Sequence, residues 1–245
     1  MVQRITISAN QKRGNLFYLE AEQIHYLRRV LRLKPGDRFI VQDGLGMQWL
    51  AALDEQPGQA QMIEILATVP LVSQAAPLRL IAALPKGNSF DQVVRQATEL
   101  GVSHIYPVIS DRTLLKPKGN KLERWRRISQ EASEQSERIT VPEIFPPTAL
   151  EDCLSQANWE GLRYICATRR NCPHLLRELK IDLRLDDLLD VTLMVGPEGG
   201  WTADEITVAI QEGYKVVGLG SVILRSVTAS VTALSLVAAA RELLI

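Results

Sequence analysis

Three short segments of this 245-residue chain carry residue types suited to holding a small ligand with the main chain. The first is Gly196-Pro197-Glu198-Gly199-Gly200, where glycines let a ligand approach backbone N–H and C=O groups and Pro197 stiffens the turn while removing one donor. The second is Gly218-Leu219-Gly220-Ser221-Val222-Ile223-Leu224-Arg225, a strand end passing into a loop so apolar that it is expected to be buried or to line an apolar pocket. The third is Ala167-Thr168. Taken alone, the glycine run fits an ordinary tight turn ahead of a capped helix equally well. Other chemistries lack their residues: there is no GxGxxG after a strand, no GxxxxGK[ST] and no GxSxG. His25, His104 and His174 stand apart without HExxH spacing, which predicts no metal site. Cys153, Cys166 and Cys172 are odd in number and form no CxxC, so reduced, partly buried thiols are expected rather than disulfides or a zinc site.

The elements that must position these segments are legible in the hydrophobic rhythm. Residues 1–70 alternate with period two and predict a small β-barrel of strands over 3–8, 15–19, 38–43, 47–53 and 61–68. A helix over Glu20–Leu31 interrupts them, with Ile24, Leu27 and Leu31 inward and His25, Arg28, Arg29 and Arg32 outward. A linker at Pro70–Pro77 marks the boundary to a second domain over 71–245. There, short apolar runs alternate with helices and predict a parallel α/β sheet with strands over 78–84, 104–109, 163–167, 191–195 and 215–219. All three candidate segments then fall at C-terminal strand ends, where open α/β sheets bind ligands. Ser89 is expected to cap one helix that stops at Gly101, a second helix is expected over Lys121–Arg138, and Thr202 with Glu205 forms a capping box. A final helix from about Ala229 to Leu244 is apolar nearly all round, so it is central to the fold or shared with another subunit.

Composition bounds the function classes. Hydrophobic residues make up 46% and charged residues 23%, as in ordinary globular proteins. The longest uncharged stretch, between Arg225 and Arg241, is shorter than the roughly 20 residues of a membrane-spanning helix. The N-terminal residues carry no secretory signal, which predicts a cytoplasmic protein without a membrane partner. Formal net charge is zero, but Arg112, Lys116, Lys118, Lys121, Arg124, Arg126 and Arg127 are opposed by Glu123 alone between positions 112 and 127. Arg28, Arg29, Arg32, Lys34 and Arg38 form a second basic knot. Each fits a solvated face or a contact to a polyanion.

Five motifs in order carry a resemblance: His25-Tyr26-Leu27-Arg28-Arg29-Val30-Leu31-Arg32-Leu33, Ala97-Thr98-Glu99-Leu100-Gly101-Val102, Glu131-Ala132-Ser133-Glu134-Gln135-Ser136-Glu137-Arg138, Gly196–Gly200 and Leu219–Arg225. Together they resemble the ribosomal RNA small subunit methyltransferase E family. The resemblance implies an N-terminal PUA-like RNA-binding barrel at 1–70 and a C-terminal SPOUT domain at 71–245, with a deep trefoil knot in about 190–245. It also implies a homodimer through the knotted domain, and methyl transfer from S-adenosyl-L-methionine to N3 of a uridine in 16S ribosomal RNA of the small subunit. In that frame the cofactor contacts are Ala167, Thr168, Val195, Gly196, Gly199, Gly200, Leu219, Gly220, Ser221, Ile223 and Leu224. The RNA contacts become His25, Arg28, Arg29 and Arg32 on the first domain, then Arg112, Lys116, Arg124, Arg126 and Arg138, and no metal takes part.

The sulfonium methyl is already activated, so the protein must align the reactants and make N3 nucleophilic. Arg225 is expected to stabilise the uracil anion, since guanidinium suits a planar anion, and Glu198 is expected to act as base or orienting acceptor, beside its alternative as a turn residue. One departure stands out: the family's Leu-Arg-Thr-Glu-Thr-Ala appears here as Leu224-Arg225-Ser226-Val227-Thr228-Ala229, without the glutamate. Methylation at another RNA position, RNA binding without transfer, and a metabolite-binding α/β protein without RNA affinity, against which the basic clusters argue, are the competing readings.

Overall fold

A computed structural model of the chain describes residues 3–68, 76–113, 119–156, 160–167, 172–183 and 189–244. Two compact units emerge, residues 1–74 with 133–141, and residues 75–132 with 142–245.

In the first unit, the period-two pattern is realised as β1 (Arg4–Thr6), β2 (Lys12–Arg13), β3 (Leu16–Tyr18), β4 (Arg38–Gln42), β5 (Met47–Leu53) and β6 (Gln59–Thr68). They form one mixed sheet in the order β1-β4-β5-β6-β3-β2, with β1 parallel to β4 and the other pairs antiparallel. Asp43 shapes the β4–β5 hairpin by accepting the Leu45 and Met47 N–H groups at 2.8 and 2.9 Å, and Gly44 (φ 72°) supplies the left-handed step. Phe17, Leu27, Phe39, Val41 and Ala51 are fully buried inside the unit. Burying each large apolar side chain of this kind contributes about 1.5–3 kcal/mol.

The helix expected over Glu20–Leu31 is present but not uniform. α1 (Ala21–His25) widens into a π-helical turn over Tyr26–Val30, closed by Leu31 N–H to Tyr26 O at 2.9 Å. The extra residue in that turn keeps Leu27 inward and rotates its neighbours: Arg29 and Arg32 are exposed, whereas Arg28 is half-buried and donates to Asp54 O at 3.0 Å. Arg32 then adopts φ 57°, an uncommon conformation for a residue with a side chain.

The segment 133–141 belongs with this unit, which its sequence neighbours do not suggest. Glu134 accepts the Thr6 N–H at 2.7 Å, Glu137 pairs with Arg4 at 3.0 Å, and Val141 N–H donates to Gly44 O at 2.8 Å.

The second unit contains β7 (Leu78–Ala83), α2 (Ser89–Glu99), β8 (His104–Ile109), α3 (Lys121–Gln135), β9 (Glu143–Ile144), β10 (Thr148–Ala149), α4 (Leu150–Gln156), β11 (Leu162–Cys166), α5 (Leu175–Asp182), β12 (Val191–Val195), α6 (Ala203–Gln211), β13 (Lys215–Val217) and α7 (Ser226–Leu244). The α/β expectation holds: a seven-stranded, all-parallel sheet runs β10-β8-β7-β12-β11-β13, with β9 alongside β8. β12 is buried at every position, as a central parallel strand covered on both faces must be. On one face Phe90 and Val94 of α2, Trp125 of α3, Leu175 and Leu179 of α5 and Leu234 of α7 form a core, and on the other face Leu154 of α4 and Ile206 and Ala209 of α6 form a second.

Element ends shifted where caps were hidden. Asn88, not Ser89, occupies the N-cap position of α2. α3 stops at Gln135 instead of Arg138, because Glu137 takes the left-handed conformation (φ 62°) and Arg138 N–H closes the end on Ser133 O at 3.0 Å. That closure is a Schellman-type stop made without the glycine that would announce it. α7 begins at Ser226, three residues earlier than expected. The two-residue strands β9 and β10 carry too little pattern to be foreseen.

Candidate functional site

The C-terminal ends of β11, β12 and β13 lie side by side, with Cys166 in register with Val195 on one side and Val217 on the other. β12 is inserted between β7 and β11, so the strand order reverses here, the position at which open α/β sheets form ligand crevices. A cavity of about 850 Å³ opens there, a size in the range of small-molecule sites.

Its walls are the expected segments. Ala167, Val195, Gly196, Glu198, Gly199 and Gly200 line it from one side, and Leu219, Gly220, Ser221, Ile223 and Leu224 from the other. Thr168 and Lys116 lie outside the described residues. Arg225 stands beside the wall rather than in it: it is exposed, sits between the lining residues Leu224 and Ser226, and its carbonyl accepts the Ala229 N–H at 2.8 Å to start α7. Val227 is half-buried and packs against the core shared with α2.

The glycine-rich loop is a turn closed by Gly200 N–H on Pro197 O at 2.8 Å, with Gly200 at φ 69°. Gly196 fits for a different reason, since a Cβ there would sit 3.2 Å from Cε2 of Trp201 and the ring would have to shift by a few tenths of an ångström. Glu198 is exposed, and its carboxylate accepts the Lys86 N–H at 3.2 and 3.4 Å. The capping box is realised: Thr202 Oγ1 accepts from Glu205 N–H at 3.2 Å, and Glu205 Oε2 accepts from Thr202 N–H at 2.6 Å. Among the described residues, the N–H groups of Glu198 and Gly199 and those of Leu219–Leu224 have no hydrogen-bond acceptor in the protein. The N–H groups of both loops that line the cavity are therefore not spent within the protein.

The second loop is held at its start by residues that the sequence left unassigned. Gly218 N–H donates to Pro173 O and Leu175 N–H to Gly218 O, each at 2.9 Å, and His174 caps α5 by accepting the Leu176 N–H at 3.2 Å. His174, Cys166, Cys172, Trp201 and Ser226 join the lining. The position of Trp201 directly after the glycine run was the available signal for it. Burial pushes the Cys166 thiol up to about 12, with Cys172 adding to the effect, so Cys166 is a neutral apolar wall.

The basic residues separate into two groups. His25, Arg29 and Arg32 are exposed, as are Arg124 and Arg126, which pair with Asp91 at 2.8 Å and Glu123 at 3.1 Å. Arg28 turns to Asp54, Arg112 turns to the glycine-rich loop, and Arg138 is half-buried, its pKa lowered by desolvation to about 10. Among the described residues no group of His, Cys, Asp and Glu is arranged to hold a metal, and no helix is long and apolar enough to cross a membrane.

Comparison with known proteins places this geometry. Residues 73–238 match an RNA methyltransferase domain profile and residues 19–62 an RNA methyltransferase PUA domain profile. The chain is similar to ribosomal RNA small subunit methyltransferase E of Synechocystis sp., with 42% identity over 99% of this chain and 79% of that protein. It is also similar to the protein of that name from Rickettsia conorii, with 30% identity over 95% of this chain and 93% of that one. Among solved structures, a ribosomal RNA small subunit methyltransferase E from Neisseria gonorrhoeae bound to S-adenosyl methionine superposes with a TM-score of 0.82 at 31% identity, covering 99% of this chain and 98% of that one.

Proposed function

The chain belongs to the ribosomal RNA small subunit methyltransferase E family, and we propose that it methylates N3 of a uridine in 16S ribosomal RNA, using S-adenosyl-L-methionine held in the cavity at the ends of β11, β12 and β13. The observation that carries the reading is the wall of that cavity, in which two loops present unspent N–H groups beside apolar Val195, Leu219, Ile223 and Leu224. An adenine edge and a methionine chain need such donors and such surface, and neither needs a phosphate cradle. When bound, the cofactor supplies an activated methyl group.

The remaining work falls to the chain's own residues. Transfer to N3 requires the N3 proton to leave and the charge on the uracil ring to be stabilised. Arg225, exposed at the cavity rim, provides the cation for the uracil oxygens. Glu198 is the acceptor for the proton or for an orienting donor, and its bonds to Lys86 N–H hold the carboxylate at the mouth of the cavity. Val227 packs with apolar neighbours, so the base is not at that position in this chain. Arg29 and Arg32 with His25 on the first unit, and Arg124 and Arg126 on the second, contact RNA phosphates.

The same reading extends to the architecture. The sheet of the first unit curls into a PUA-like barrel, and residues from about 190 thread a trefoil knot. Support for the knot comes from β12 entering between β7 and β11 while β13 lies beyond β11 and α7 returns to pack on α2, α5 and β12. Two copies associate in the cytoplasm through the C-terminal unit, which keeps Val222 at 70% and Leu243 at 83% exposure. Incubation with methyl-labelled S-adenosyl-L-methionine and small subunits lacking their modifications, followed by digestion to nucleosides, tests the reaction. Label in 3-methyluridine is expected; label in another nucleoside changes the target, and RNA binding without label overturns the enzymatic reading.

A further inference from the structure

We infer that Arg112 is a positioning residue of the cofactor loop, an assignment that rests on the reading of the cavity as the S-adenosyl-L-methionine site. Its Nη1 donates to the carbonyl of Gly199 at 2.7 Å and to that of Trp201 at 3.3 Å, one cation holding two peptide planes of the loop. Its stem lies over Gly199: a Cβ at that position would meet Arg112 Cδ at 3.2 Å and Cβ at 3.3 Å. The glycine at 199 is thus explained by the arginine at 112, because the φ of Gly199 is not in the left-handed range that explains Gly200.

The base from which Arg112 reaches is itself fastened to the first turn of α6. Thr113 N–H closes the 110–113 turn on Ser110 O at 2.9 Å, Asp111 N–H donates to Glu205 Oε1 at 2.9 Å, and Thr202 Oγ1 donates to Asp111 Oδ2 at 3.2 Å. With the Gly199 carbonyl drawn to Arg112 and Gly200 N–H committed to Pro197 O, the Gly199–Gly200 peptide has one orientation. Within this loop the N–H groups of Glu198 and Gly199 have no acceptor among the described residues. Preorganised donors bind more tightly than mobile ones because their ordering cost is met before the ligand arrives.

The test compares S-adenosyl-L-methionine affinity, by calorimetry on the full chain, for Arg112→Met, Arg112→Lys, Arg112→Ala, Gly199→Ala and the double variant Arg112→Ala/Gly199→Ala. Arg112→Met keeps a stem and removes the donors, and is expected to weaken binding about tenfold or more, with Arg112→Lys recovering part of the loss. Gly199→Ala is expected to weaken binding in the presence of Arg112 and to add less than about threefold when Arg112 is already alanine, a coupling that general destabilisation would not produce. Amide exchange at Gly200 in the ligand-free protein, whose N–H is bonded to Pro197 O, is expected to quicken about tenfold in Arg112→Met and separates this inference from the one beneath it. Faster exchange with a wild-type protein that does not bind S-adenosyl-L-methionine would uphold the positioning role and overturn the cofactor assignment. Unchanged exchange together with affinity within about twofold of wild type would overturn the role of Arg112.

Discussion

Glu205 carries the most exposed weakness of the site's scaffold, although it lines no part of the cavity. It is only 8% accessible, and its two oxygens are divided between two backbone donors, Asp111 N–H at 2.9 Å and Thr202 N–H at 2.6 Å. Glu205→Gln preserves the shape but offers one acceptor oxygen, so an amide NH2 must face whichever backbone N–H loses its partner. A hydrogen bond to a charged group contributes about 1.5–3 kcal/mol, and a buried donor left unpaired costs about 1–3 kcal/mol. The second donor stays close to the surface, through exposed Asp111 or half-buried Thr202, so the lower part of the combined range applies and a net loss of about 1.5–3 kcal/mol is expected. At about 2–4 °C per kcal/mol for a unit of this size, the melting temperature should fall by about 3–12 °C. Thermal denaturation followed by circular dichroism reads the shift. Thr202→Ala, which removes the hydroxyl cap and its bond to exposed Asp111 while leaving both Glu205 oxygens in place, should cost about 1 kcal/mol and serves as the reference for loss of the hydroxyl. A Glu205→Gln protein within about 0.5 kcal/mol of wild type would refute the reasoning, because it would mean that the carboxylate holds neither donor firmly.

Three further outcomes are expected. Arg225→Ala should lower turnover by about a hundredfold or more while S-adenosyl-L-methionine affinity stays within about twofold, since the side chain stands outside the cavity wall; near-normal single-turnover rates would remove Arg225 from the chemistry. Arg29→Ala should weaken RNA binding and reduce the salt dependence by about 0.7–0.9 per lost phosphate contact, whereas Arg28→Ala should destabilise the first unit by about 1–3 kcal/mol through its lost bond to Asp54 O; filter binding across a salt series and urea denaturation tell the two apart. Cys153 and Cys166 are both pushed up to about 12 by burial, so near pH 8 both remain thiols, and their thiolates become available only as pH rises toward that value or as the chain unfolds. Reaction of buried Cys153 with a disulfide reagent in the native protein at pH 8, on the timescale seen after denaturation, would show that this burial is not maintained.

Much of the arrangement was legible along the chain because it depends on local pattern. Five of the seven strands of the second unit follow from apolar runs bounded by glycine and proline, and the Thr202–Glu205 box declared the start of α6. The two loops of the cavity were legible for the same reason, since Gly196–Gly200 and Leu219–Leu224 combine composition with a place at strand ends. The end of α3 was not legible, because its stop uses Glu137 in a conformation normally taken by glycine and is supported from afar by Arg4.

Tertiary structure alone decided which basic residues are free and which are spent. Arg28, Arg29, Arg112 and Arg124 look alike in the sequence, yet a widened helical turn sends Arg28 to Asp54 and a turn fastened to α6 sends Arg112 to Gly199 and Trp201. It also decided why two neighbouring glycines are there, Gly196 for the ring of Trp201 and Gly199 for the stem of Arg112. Composition and periodicity set which residues form strands, helices and loops, since those depend on neighbours in the chain. Which side chain crosses to which carbonyl depends on distances between segments far apart in sequence, and only the packed fold determines them.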